Sequence, residues 1–175
     1  MRLIFILFAV LSLMGCNKRP DAPFGLEWGQ NINSLAELKL KKFKCTEKQD
    51  IQEQKITECT FRNVPEAAEW IDIYSASFIN DQLVEINAYM SSRNGYGDND
   101  SSSFNIKFNK AISDLSREYG KPVEQSDVSI TCDNEDNCDG YRAEYKKDGI
   151  KIDMSIHKMP FSSDLTMMIN YKPEK

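Results

Sequence analysis

Apolar positions change period several times along the 175 residues, and each change of period predicts an element. The clearest stretch is Phe104, Phe108, Ala111, Ile112, Leu115 and Tyr119, spaced to form one stripe of an amphipathic helix. Gly120 and Pro122 then supply the stop. After it, Val123 to Cys132, Tyr141 to Lys146, Ile150 to His157 and Leu165 to Tyr171 read as strands. Lys147-Asp148-Gly149 joins the middle two as a hairpin. Earlier in the chain, Phe43 to Thr46, Lys55 to Phe61, Trp70 to Ile79 and Leu83 to Met90 also read as strands. The last two turn at Asn80-Asp81, with Val84, Ile86, Ala88 and Met90 alternating onto one face. A short helix is predicted from Ser34, since Ser34 and Glu37 have capping-box spacing and Leu35 and Leu38 share a face.

Between these elements lie two stretches with no periodicity. Asn17 to Pro23 is polar with two prolines and reads as an extended tether, and Phe24 to Gly29 opens the folded part with two aromatics among glycines. Ser91 to Ser103, almost wholly Ser, Asn, Asp and Gly, is a linker loop with Tyr96 as a candidate contact residue at its tip. The predicted class is therefore α+β: two consecutive units of one helix followed by an antiparallel meander, residues 24–90 and 104–175, packed as one domain or two half-domains. This arrangement resembles the tandem repeat of the beta-lactamase-inhibitor-protein-like fold, which also occurs as a single unit in small lipoproteins of the outer-membrane barrel assembly machinery. The features that match are the helix ending Tyr119-Gly120-Lys121-Pro122 and the turn Phe78-Ile79-Asn80-Asp81-Gln82-Leu83. The resemblance carries no residue-level function.

The first sixteen residues set a compartment. Arg2 precedes an uncharged apolar run over residues 3 to 11, the layout of a secretory signal and too short to span a bilayer. Leu13-Met14-Gly15-Cys16 closes it and resembles the lipobox of bacterial lipoproteins. That resemblance implies removal of residues 1–15, diacylglycerol on the Cys16 sulfur and acylation of the new amino group. Residues 16–23 are then a lipidated tether, and Asn17, in place of an aspartate, points to the outer membrane on its periplasmic face.

Cysteine number agrees with this assignment. Five cysteines are awkward in an oxidising compartment, and giving Cys16 to lipid leaves four. Of the three possible pairings, the local one joins Cys45 to Cys59 and Cys132 to Cys138, where candidate strands turn back on each other. Neither pair has the spacing of a zinc site. A net charge of −5, made more acidic by loss of Arg2, disfavours nucleic acid as a partner.

No catalytic motif emerges. His157 is the sole histidine, and strand alternation puts it on the polar face with Lys151, Asp153 and Ser155, without an evident orienting partner. The acidic loop 133–140 has the look of a calcium loop, but Cys138 stands where an EF-hand requires glycine. Lys39, Lys41, Lys42 and Lys44 either complement a helix C-terminus or touch anionic headgroups. The function expected is a lipid-tethered periplasmic protein-binding module, an assembly factor, inhibitor or immunity protein, with no cofactor. The alternative is an envelope hydrolase using a carboxylate pair.

Overall fold

The computed structural model describes residues 21–49, 54–92, 101–126, 139–158 and 164–174. Eight strands are β1 (Lys44–Gln49), β2 (Lys55–Phe61), β3 (Ile73–Ile79), β4 (Gln82–Ser91), β5 (Glu124–Ser126), β6 (Asp139–Lys147), β7 (Ile150–Lys158) and β8 (Leu165–Pro173). A single α-helix among the described residues, α1 (Ser101–Tyr119), joins β4 to β5. All eight strands form one antiparallel sheet in the order β1-β2-β3-β4-β8-β7-β6-β5.

That topology overturns the expectation of two consecutive helix-plus-meander units. Each meander alone would leave its last strand as an apolar edge with unpaired backbone donors and acceptors. Instead β4 and β8 pair over Ile86–Ser91 against Thr166–Tyr171, which removes both edges at once. The first unit also lacks its α-helix. Ile32–Leu38 is a 3-10 helix, because Ile32, Leu35 and Leu38 recur every three residues and only a three-residue turn aligns them. The cap is Asn31, whose Oδ1 accepts from Asn33 N–H at 2.9 Å, while Ser34 lies inside the helix and donates its hydroxyl to Asn31 O. Ser34 and Glu37 therefore form no capping box.

One face of the sheet holds the core. Cys59, Phe61, Tyr74, Ala76, Phe78, Ile86, Ala88, Tyr145, Ile152, Met154, Ile169 and Tyr171 are buried there, in register from strand to strand. Over β6 to β8 this face is roofed by α1, whose predicted stripe is buried at Phe104, Ala111, Leu115 and Tyr119. Over β2 to β4 it is roofed by the irregular stretch 21–38, which brings in Leu26, Trp28 and Leu35. Backbone bonds from Gly29 N to Leu83 O and from Ile32 N to Asp81 O fasten that stretch to the β3–β4 turn. Asn80 and Asp81 take positive φ in that turn, and Asp148 and Gly149 do so between β7 and its predecessor, as their composition predicts.

Two details shift relative to the sequence pattern. A bulge pairs Ser77 with Glu85 but Phe78 with Leu83, so Leu83 rather than Val84 enters the core. The folded body begins before Phe24: Asp21 bridges to Glu27, and Ala22 is buried. At the other sheet edge a disulfide joins Cys45 to Cys59 across β1 and β2, as expected. Closing a loop of 14 residues, it is expected to contribute about 3 kcal/mol. Urea unfolding of the Cys45→Ser/Cys59→Ser form should show that loss, and an unchanged midpoint would contradict it.

Candidate functional site

The face opposite α1 has no helix or segment over it among the described residues, and antiparallel register places its side chains in rows. One row runs Ile73, Tyr89, Met168, Ser155 and Arg142 from β3 to β6. Tyr, Met and Arg are the residue types enriched where proteins meet. Ile73, the first residue of β3, is 37% exposed, a large apolar side chain at the end of that row.

Beside that row runs a polar one. Asn170 Nδ2 donates to Asn87 Oδ1 at 2.7 Å and to Glu85 Oε1 at 2.6 Å, and Glu85 Oε2 meets Lys172 Nζ at 3.1 Å. Asn87 and Asn170 are buried by these neighbours although they point away from the core. The network fixes its side chains before any partner arrives, which lowers the entropy lost on binding.

Toward β5 the face deepens into a shallow groove of about 440 Å³ lined by Glu124, Ser126, Arg142, Glu144, Asp153 and Ser155, with His157 at one end. Glu144 accepts from Lys146 at 2.8 Å and from Lys151 at 2.7 Å. These bonds, more than any other cause, pull its pKa down to about 2. A depressed carboxylate supports the fold above its unfolded-state value and loses that support as pH falls through the folded one, here between about 4.5 and 2. A carboxyl-carbon NMR titration should give Glu144 a midpoint near 2, and Lys151→Met should raise it. Glu144 is thus ionised at neutral pH and poorly suited to be a general acid.

His157 does have a partner: Ser155 Oγ lies 2.8 Å from Nε2. The alternation of β7 places Lys151, Asp153, Ser155 and His157 on one face as the sequence predicts, while the Ser–His contact depends on side-chain rotamers that alternation does not fix. A hydroxyl beside an imidazole is the first half of a nucleophilic pair. The second requirement is a set of free N–H donors for an oxyanion, and β7 lies between β6 and β8, whose ladders occupy its backbone donors.

The remaining candidate residues lie elsewhere. Lys39, Lys41, Lys42 and Lys44 are exposed in the turn before β1 and at its start, at the sheet edge far from the groove. Lys39 is the left-handed C-cap of the 3-10 helix, with φ 50°, and the other three lie beyond its end. Cys16, Tyr96, Cys132 and Cys138, and the acidic loop except Asp139 and Gly140, lie outside the described residues. No group of His, Cys, Asp and Glu suited to a metal occurs among the described residues. No protein-family model, curated protein or solved structure matches the chain.

Proposed function

We propose that the chain is a lipid-anchored protein of the bacterial envelope that binds another envelope protein through the open face of its sheet. The observation that carries this reading is the row Ile73-Tyr89-Met168 beside a prearranged polar network. Support for the compartment comes from the lipobox-like Leu13-Met14-Gly15-Cys16 and from the Cys45–Cys59 disulfide, a bond typical of oxidising compartments. The partner is held on the face that α1 leaves bare, as by an assembly factor, inhibitor or immunity protein.

Site-specific photocross-linking in intact cells tests it. A cross-linking amino acid at position 89 or 168 should capture one discrete protein, and the same residue at Ile106, 68% exposed on α1, should not. Equal capture from both sides, or none from the sheet, would sink the proposal.

A further inference from the structure

A second concavity lies on the helix side. The segment Asp21–Phe24, the turn around Glu66, the C-terminal end of α1 and the β6–β7 turn enclose two adjoining depressions of about 190 and 480 Å³. They share Pro23, Phe24, Glu66, Glu118 and Tyr119. Phe24 is fixed there at φ 66°, edge-on to Tyr171 with ring centroids 5.2 Å apart. Gly25 makes this possible. It has φ 73°, and a Cβ on it would lie 2.8 Å from Pro65 Cβ, so only glycine lets the segment sit against the turn.

Charge in this cleft is unbalanced. Among the described residues, no cation pairs with the carboxylates of Asp21, Glu66, Glu118 or Asp148. Asp114, by contrast, is satisfied by Arg117 at 2.9 Å, Lys110 at 3.6 Å and the Trp70 indole N–H at 3.1 Å. Tyr171, 2% exposed, closes the inner end, and its hydroxyl has no hydrogen-bond partner among the described residues. Lys147 stands at the rim, donating one bond to Glu118 O and keeping two further N–H groups.

Carboxylates with no cation partner over aromatic rings, one of them Glu118 beside the Tyr119 hydroxyl, attract an ammonium group, and a lysine beside them suits a phosphate. We propose that this cleft binds a phosphoethanolamine headgroup, its ammonium between Glu66, Glu118 and the Phe24 and Tyr119 rings and its phosphate at Lys147. The choice of a lipid as source rests on the anchored reading above. Asp21 is five residues from Cys16, so the cleft rim can stand at most about 18 Å from the acylated residue. A headgroup with phosphate and no amine would be repelled by the same four carboxylates.

The test titrates O-phosphoethanolamine into the full mature chain in detergent micelles, following the Trp70 indole N–H resonance, assigned with Trp28→Phe. A saturable shift is expected, at least tenfold weaker in Glu66→Gln/Glu118→Gln, whose two side chains are exposed, and absent with glycerol 3-phosphate. No shift, or one that survives the double substitution, overturns the proposal. Tighter binding of a Gly-Lys-Gly peptide would assign the cleft to a partner protein's side chain instead. Binding seen only after Lys18→Ser/Arg19→Ser would assign it to the tether's own cations, and either result overturns the headgroup. Because the probe is soluble, a negative titration leaves palmitate labelling of Cys16 untouched, and failed labelling leaves the titration readable.

Discussion

Ile169→Asp is expected to unfold the domain, whereas Met168→Asp, one residue earlier on the same strand, leaves it folded. Ile169 is fully buried at the centre of the sheet, between Ala88 on β4 and Met154 on β7. Truncation to alanine there removes the side chain next to an already small Ala88, so the space cannot refill, and the expected cost is about 4 kcal/mol. An aspartate adds an unpaired buried carboxylate to that loss, enough to exhaust the roughly 5–15 kcal/mol by which a domain is stable. Met168 points to the open face, where substitution should cost under about 1 kcal/mol. Far-UV circular dichroism and urea midpoints of the two variants separate the faces directly. Equal effects would mean that the register of β8 is wrong. Met168→Asp should also abolish capture by a cross-linker at position 89, tying the fold test to the proposed partner.

Cys16→Ala is expected to move the protein almost entirely out of the membrane fraction. One acyl chain gives only marginal binding, with an association constant of about 10⁴ M⁻¹, and stable anchoring takes a second. On the anchored reading, a Cys16→Ala form made behind a signal peptide whose cleavage needs no lipid, so that residues 1–15 do not stay attached, loses the acceptor sulfur and every acyl chain together. No described helix is long and apolar enough to cross a membrane in their place. The expected change is at least about 100-fold in the ratio of sedimented to soluble protein, accompanied by loss of labelled palmitate. A Cys16→Ala form that still sediments with membranes in full would defeat the anchored reading.

Local features were legible in the sequence and distant ones were not. The α1 stripe, the Asn80-Asp81 turn, the Lys147-Asp148-Gly149 hairpin and the polar face of β7 follow from periods of 3.6 or 2 and from turn chemistry, which act within a few residues. The first helix misled because Leu35 and Leu38, three apart, fit both an α turn and a 3-10 turn, and the third member, Ile32, decides. Val84 misled because a bulge is invisible until the partner strand is known. The β4–β8 pairing joins residues from 75 positions apart, at Ser91 and Thr166, to 85 apart, at Ile86 and Tyr171, and no local pattern announces it. The binding face suffers in the same way. Ser155 and His157 sit on one strand, but Arg142 and Glu144 join them only through the β6–β7 register, which slips between Asp139 and Arg142. The acidic cleft collects side chains from four separate stretches, so sequence order hides it completely.

Among the described strands, the one that completes the middle of the sheet is the last to be made. Until β8 arrives, β4 and β7 each expose a ladder with nothing to bond, and Ile86, Ala88, Ile152 and Met154 lack the neighbours that shield them. On the envelope reading proposed above, a polypeptide threaded outward from its N-terminus cannot close this sheet until β8 has followed β4 and β7 across. Deleting β8, Leu165–Pro173, should leave two half-sheets searching for each other, prey to proteases and to neighbouring chains.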